Sequence, residues 1–325
     1  MTNRITAILT AYRRPHTLAP LIEAVRGQSV PPSLVWAWAN DPSEELSSRL
    51  RLAGLDRVVA SSQNAYFHGR FALALLAPTE FVALFDDDSI PGCDWFKSCL
   101  EAMARTPGIL GTAGLVLHGP SYAHRTMYGW QRPNDEAVEV DLVGQTWFLR
   151  TEWVRYLFAD RPITLTNGED IELAARAWRM ARIRSYCPPH PPRDLRRWGS
   201  TRGMELGIDA VATSLRCSHE AERDAIVKTE ISAGWLPLFA RVASVGNALS
   251  GDLRSGIRGN AEDSPIRPPV TDFARLQGNG IRETDGYAPG GRPAQAVCPD
   301  GVTSTPDHVP FAYGKIRGTT QGARP

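Results

Sequence analysis

Cysteine is scarce in this chain and badly placed for a framework. The five cysteines, Cys93, Cys99, Cys187, Cys217 and Cys298, are odd in number, scattered, and without one pair at CxxC spacing. Neither a disulfide scaffold nor a zinc ribbon follows from such a pattern, and a reducing compartment is expected. Lysine is rarer still: only Lys97, Lys228 and Lys315 occur, and arginine supplies the remaining cations. The formal net charge of +1 gives no sign of a cationic nucleic-acid binder or an acidic tail. No stretch approaches the ~18 apolar residues of a membrane-spanning helix. The first residues, MTNRITAILTAYRR, carry an apolar run too short for a signal-peptide core. The expectation is a soluble cytoplasmic protein without a transmembrane segment, with peripheral attachment to a membrane left open. Two glycine signatures are missing as well. No GxGxxG follows the first apolar run, and GxxxxGK[ST] occurs nowhere, which disfavours a dinucleotide-binding Rossmann site and a P-loop. Phosphates bound here would have to be held by a metal and arginines.

What is present is a regular alternation. Apolar strand-like runs at 5–10, 34–39, 57–61 and 81–85 alternate with helical spacing at 16–26, 43–53, 66–76 and 95–105. Pro15 suits a first helical turn, and Ser43 is a candidate N-cap. This rhythm predicts an α/β fold, a mostly parallel, doubly wound sheet with helices on both faces. With 42% apolar residues, the 325-residue chain can fill a sizeable core. Beyond residue 107 the pattern changes. Strands are expected over 109–117 and 138–143, and 146–150 leads into a helix over 151–158. A helix over 169–181, a short strand over 183–186, and helices over 208–216 and 221–239 follow. The expected domain is 1–245, in halves 1–107 and 108–245. The Gly- and Pro-rich stretch 246–325 reads as a disordered tail.

The run Phe81–Phe85 ends in Asp86, Asp87 and Asp88. A strand buried on both faces delivers such residues to the C-terminal edge of the sheet, where open α/β sheets bind ligands. Three adjacent carboxylates repel one another unless a cation or hydrogen bonds offset them. Oxygen-only clusters suit Mg²⁺ or Mn²⁺ with a substrate phosphate, although a solvated acidic turn gives the same letters. Three other polar sites fall at the ends of the preceding strands: Thr10 to Arg14, Asn40-Asp41, and Asn64 to Arg70. Each alone reads equally as packing or a turn, but together they outline one crevice. A fifth site, Asn167-Gly168-Glu169-Asp170, opens the 169–181 helix. Its acids complement the helix dipole and Thr166 to Glu169 has capping-box spacing, yet a carboxylate here could also accept a proton from a hydroxyl.

The sequence of motifs TAYRR, ND, SQNAYFHGR, FDDDSIPG and NGED, over residues 4–190, resembles family 2 glycosyltransferases of the GT-A fold. The most specific elements are the aspartate triplet, matching a DxD motif, and the GED segment, about 80 residues apart. The resemblance implies a nucleotide-binding half (1–107) and an acceptor half (108–245). It places Thr10, Tyr12 and Asp41 at the nucleotide base, Arg70 near base or diphosphate, and Asp87 near the ribose. Asp86 and Asp88 would hold Mn²⁺ or Mg²⁺, with His190 in CPPHPP as a further candidate metal ligand. Asp170 would be the catalytic base with Glu169 beside it, inverting the anomeric centre. The implied donor is a nucleotide-sugar, a UDP-sugar foremost. The implied acceptor is a glycan, a lipid-linked saccharide or a small molecule, with no nucleic acid involved. Two rivals remain: a sugar-nucleotide-forming nucleotidyltransferase, which normally needs a glycine-bearing loop where TAYRRPH stands, and a non-catalytic nucleotide-sugar-binding scaffold. Asp194-Leu195-Arg196-Arg197-Trp198 departs from the QxxRW element of processive synthases, so Trp198 either lines an acceptor pocket or covers the sheet. The segment Trp235–Phe239 either closes the core or meets a membrane.

Overall fold

The structure, a computed structural model, describes residues 4–129, 132–207, 209, 212 and 218–241. The tail expected over 246–325 and most of the helix expected over 208–216 lie outside the described residues.

The first half follows the alternation. β1 (Ile5–Ala11), β2 (Leu34–Asn40), β3 (Arg57–Ser61) and β4 (Phe81–Phe85) pair in parallel in the order β3-β2-β1-β4. Between them run α1 (Pro15–Arg26), α2 (Glu44–Leu52) and α3 (His68–Ala74), and α4 (Trp95–Arg105) follows β4. Pro15 takes the first turn of α1. The Ser43 hydroxyl caps α2 by accepting from the Leu46 amide at 3.2 Å. α3 is shorter than the periodicity indicates, because Ala65 and Tyr66 are turned aside by bonds to Asn40 and Asn64.

Period-two alternation divides the core. Ile5, Ala7 and Leu9 of β1 and Phe81, Ala83 and Phe85 of β4 face α1, α2 and α4, while Ile8, Val82 and Leu84 face α3 and the later helices. Each leucine-sized side chain buried this way contributes roughly 1.5–3 kcal/mol.

The second half completes the same sheet. β5 (Gly108–Leu117), β6 (Arg125–Gly129), β7 (Val138–Val140), β8 (Leu142–Arg150) and β9 (Arg184–Cys187) give nine strands in the order β3-β2-β1-β4-β8-β5-β9-β7, with β6 on β5. β8 lies antiparallel between β4 and β5, so the sheet is parallel from β3 to β4 and mixed beyond. The segment expected as one strand over 138–143 divides at Asp141, which accepts from the Leu117 amide at 2.7 Å and the Leu238 amide at 2.6 Å. β6 was not expected, because the run RTMYG lacks a clear alternation.

A 3-10 helix spans Thr151–Phe158, and α5 spans Glu169–Ala181. A short α6 (Gly203–Leu206) precedes α7 (His219–Ser232). α7 ends earlier than expected, at a turn where Gly234 takes φ +100°. Trp235 then drops into the α5–α7 core at 1% exposure, so the Trp235–Phe239 segment closes a core. Trp198 is likewise buried, its Nε1 donating to the Pro191 carbonyl at 2.9 Å and its ring edge-on to His190.

Candidate active site at the ends of β1, β2 and β4

The chain moves from β1 outward to β2 and β3, then returns to place β4 on the other side of β1. Such a reversal opens a crevice at the strands' C-terminal ends. The backbone there is strained. Four of the five described non-glycine residues with positive φ sit around it: Arg13 after β1, Asp41 after β2, Tyr66 before α3, and Gln145 on β8. Each left-handed residue costs on the order of 1–3 kcal/mol, which the surroundings must impose. Gln145 lies in a β-bulge, where Gln145 and Thr146 oppose the single residue Thr112, and its carbonyl accepts from the Asp86 amide at 3.1 Å. The bulge thus fixes the start of the aspartate triplet.

Arg70 joins the two acidic motifs. It is 2% exposed, and its guanidinium bonds Asp86 through Nη1 and Glu169 Oε1 through Nη2 at 3.0 Å. Nη1 also reaches Thr10 Oγ1 at 3.3 Å. Four residues expected at the site, Thr10, Arg70, Asp86 and Glu169, therefore meet at one side chain. The approach of α3 that brings Arg70 in depends on Gly69, since a Cβ there would enter the Trp38 indole.

Asp170 follows Glu169 on α5. Its Oδ2 accepts from Arg223 Nη2 at 2.5 Å and its Oδ1 from the Ile171 amide at 2.9 Å. Arg223 stands on α7, is 6% exposed, stacks over Tyr122 at 4.4 Å and donates to Asn167 Oδ1 at 3.0 Å. α7 can come this close because residue 168 is glycine. Gly168 takes φ +84°, and a Cβ on it would collide with Ile226. The helix N-cap is Gly168 with no side-chain cap, so the capping box expected from Thr166 does not form; Thr166 pairs with Thr164 instead.

On the β1 side, Arg14 is 6% exposed and donates from Nη1 to Asp87 Oδ1 at 2.5 Å and to Asp88 Oδ2 at 3.2 Å. Further out, Tyr12 accepts through its hydroxyl from Asn64 Nδ2 at 3.1 Å, and Asp41 pairs with Arg13 at 2.9 Å. Tyr12 and Asp41 thus occupy neighbouring strand ends, at the rim of the same crevice. Arg14, Arg223, Asn167 and Tyr122 are participants that sequence reasoning passed over as side chains in their own right. Only Arg223 carried a readable signal: with Ile226, Val227 and Glu230 it forms the buried face of α7 at helical spacing.

Charge is left over in this arrangement. Asp86, Asp87, Asp88, Glu169 and Asp170 bring five carboxylates against the guanidinium groups of Arg14, Arg70 and Arg223, and Asp209 draws on Arg14 as well. Burial raises Asp87 to about 7 against the pull of Arg14. Burial and then the neighbouring Asp86 raise Asp88 to about 6. Burial and then Asp170 raise Glu169 to about 7. Asp86 is raised too, burial outweighing Arg70, although 27% of its side chain remains open to solvent screening.

These residues suit a divalent cation. The carboxylates exceed their cations, Asp87 Oδ2 is buried without a hydrogen-bond partner, and Asp86 Oδ2 and Asp88 Oδ1 take no part in the arginine pairs. Among the described residues no group of three or more His, Cys, Asp or Glu side chains is assembled as a metal cage. Mg²⁺ normally takes one or two carboxylates and completes its shell with phosphate and water, so a two-carboxylate site remains consistent with this geometry.

His190 is fully buried between Trp95 and Trp198. Its Nδ1 meets the Pro188 carbonyl at 2.7 Å and its Nε2 accepts from the Gly199 amide at 3.3 Å. Burial lowers it to about 4. Both ring nitrogens are therefore engaged by the backbone, and the structure does not bring His190 together with the triplet. A cavity of about 470 Å³ lined by Thr79, Glu80, Arg150 and Arg155 lies at the other end of β4, away from the acidic residues.

No protein-family model matches the chain, and no curated protein matches its sequence. Among solved structures, the chain is similar to S. aureus TarS at 16% identity, covering 57% of this chain and 36% of that one with a TM-score of 0.40. It is also similar to the 1–349 fragment of S. aureus TarS in complex with UDP, at 17% identity over 57% of this chain and 58% of that one, with a TM-score of 0.42. The same fragment without UDP in its description gives 17%, 57%, 60% and 0.41. The chain spans between about a third and three fifths of the length of these structures. At such scores the α/β class rests on the strand order itself.

Proposed function

We propose that the chain is a metal-dependent, inverting glycosyltransferase of the GT-A type, of family 2, that moves a sugar from a nucleotide-sugar to an acceptor hydroxyl. The observation that carries this reading is the pair of hydrogen bonds that Arg70 donates, one to Asp86 and one to Glu169, which draws the strand-end triplet and the acidic helix start to one guanidinium.

Thr10, Tyr12 and Asp41 stand on the base side, with Asp87 toward the ribose and Arg70 toward the diphosphate. Asp86 and Asp88 would hold Mg²⁺ or Mn²⁺, which when bound offsets the negative charge that develops on the leaving diphosphate. The acceptor oxygen attacks the anomeric carbon, the bond from that carbon to the diphosphate oxygen breaks, and the acceptor proton passes to a carboxylate at the start of α5. Asp170 is assigned that proton, its carboxylate held in place by Arg223. Glu169 is a second candidate, because burial and Asp170 bring it to about 7, where a general base works best at neutral pH.

Thermal melting of the full chain with nucleoside diphosphates and nucleotide-sugars, with and without Mn²⁺, tests the reading. UDP with Mn²⁺ is expected to raise the melting temperature by several degrees, since a ligand at a hundred times its Kd adds about 2.7 kcal/mol. No stabilisation by any nucleotide with metal present rejects it. Once a donor is found, Asp170→Asn is expected to lower turnover by about 10²–10⁴-fold with donor affinity kept. If Glu169→Gln does so instead, the base is Glu169.

A further inference from the structure

Arg14 is fixed from both sides, by the end of β1 and by Pro15 at the first turn of α1. A guanidinium only 6% exposed must always have anions against it. Its Nη1 serves Asp87 and Asp88 from the triplet. Its other edge, Nε and Nη2, donates in parallel to the two oxygens of Asp209, each at 2.8 Å, across 195 positions of sequence. Two parallel N–H···O bonds are the geometry that a guanidinium offers a carboxylate and a phosphate alike. The three partners differ in how readily each can be exchanged. Side-chain exposure is 11% for Asp87, 19% for Asp88 and 35% for Asp209. Asp87 and Asp88 are tied to the end of β4, whereas Asp209 reaches Arg14 across 195 positions of sequence and is 35% exposed.

We propose that the Nε–Nη2 edge of Arg14 is a diphosphate-binding site, for which Asp209 and the diphosphate of a nucleotide-sugar compete. The inference rests on the donor class proposed above and adds to it a residue and an internal competitor. Three features support it. The same guanidinium bonds Asp88 through Nη1 at 3.2 Å, so a diphosphate on its Nε–Nη2 edge and a cation held by the triplet would share one side chain. Exchange of a carboxylate for a phosphate leaves the buried guanidinium paired throughout, which avoids the cost of an uncompensated charge. Finally, Asp209 is the most exposed of the three carboxylates on this guanidinium, at 35% against 11% and 19%, and so the one nearest to solvent for an exchange.

Calorimetric titration of the full chain with inorganic pyrophosphate in excess Mg²⁺, and separately with UDP, tests the proposal on the wild type, Asp209→Asn and Arg14→Lys. Asp209→Asn removes the competing charge and keeps the shape. It is expected to bind pyrophosphate about tenfold tighter than the wild type, a 1.4 kcal/mol change. Arg14→Lys keeps the charge and loses the fork, so it is expected to bind pyrophosphate about tenfold more weakly, and adding Asp209→Asn to it restores nothing. Circular dichroism establishes that each variant is folded; if Arg14→Lys is not, the Asp209→Asn arm decides alone. Equal or weaker pyrophosphate binding by Asp209→Asn overturns the proposal, and so does the absence of pyrophosphate binding in both proteins. Tighter pyrophosphate binding by Asp209→Asn without any nucleotide binding keeps the Arg14 site and rejects the glycosyltransferase reading.

Discussion

Two clusters of acid and arginine lie one turn apart along α5, and they are built on opposite principles. In the first, Glu172 and Glu230, at 0% and 2% exposure, face Arg176 and Arg179. Two buried acids there face two arginines, with the exposed Asp160 also reaching Arg179 at 3.5 Å, and Arg176 uses its remaining donors on the carbonyls of Leu157, Asp160 and Arg161 at 2.6–3.0 Å. In the second, the aspartate triplet, Glu169 and Asp170 outnumber Arg14, Arg70 and Arg223. The balanced cluster welds α5 to α7 and to the segment after the 3-10 helix. The unbalanced one holds like charges together at a strand edge surrounded by strained backbone. Charge-matched pairs suit a scaffold, while several carboxylates raised together at a strand edge make that edge the candidate site.

The largest effect should come from breaking the balanced cluster. Arg176→Ala strands two buried carboxylates and three carbonyls, and loss of one member of a buried ion pair costs about 3–5 kcal/mol. Chemical denaturation is expected to show that loss, and a change below about 1 kcal/mol would mean that the cluster is not what holds α7. The unbalanced cluster should respond in the opposite sense. Asp87→Asn removes a buried excess charge, and in the absence of metal it is expected to stabilise the protein by about 1–2 kcal/mol, the usual gain when an unfavourable buried charge is relieved. A destabilised Asp87→Asn would place the triplet with the scaffold. Mg²⁺ should reproduce part of that gain in the wild type and less of it in Asp88→Ala, read as the shift in melting temperature with added MgCl₂.

The same contrast explains what could be read in advance. The ends of β1, β2 and β4 were legible because a parallel strand buried on both faces must be apolar, so its polar termination is visible, as in FVALF followed by DDD. The acids of NGED were legible because they cluster at the start of a strongly amphipathic helix. Their partners were not. Arg14 and Arg13 are adjacent in TAYRR, yet one is buried under three carboxylates and the other is exposed beside Asp41; only the turn at Arg13, with φ +56°, distinguishes them. Asp209 has no local pattern that points to β1. The antiparallel insertion of β8 between β4 and β5 was equally hidden, because Leu142–Arg150 carries the apolar content of any core strand. His190 shows the reverse case: CPPHPP has the look of a ligand loop, and the fold spends both of its ring nitrogens on the backbone.

The smallest effect concerns pH, and its sign follows from the direction of the shifts. Asp87 and Glu169 rise to about 7 and Asp88 to about 6 on burial. Between their ordinary values and these, the folded protein binds protons that the unfolded chain has released, so stability falls as pH rises from about 5 to 7. His190 and His219, both lowered to about 4 by burial, act the other way: the unfolded chain takes up protons first, and stability falls as pH drops below about 6.5. Three raised carboxylates, joined by Asp141, which burial raises to about 6, outweigh the two histidines, so the metal-free wild type is expected to be more stable near pH 5 than at neutrality, along an upper limb set by the carboxylates. Asp87→Asn should flatten the upper limb by no more than the ~1.4 kcal/mol per pH unit that a single proton can contribute. An upper limb that rises toward pH 7.5, or that Asp87→Asn leaves unchanged, would show that the triplet is already compensated and belongs with the balanced cluster after all.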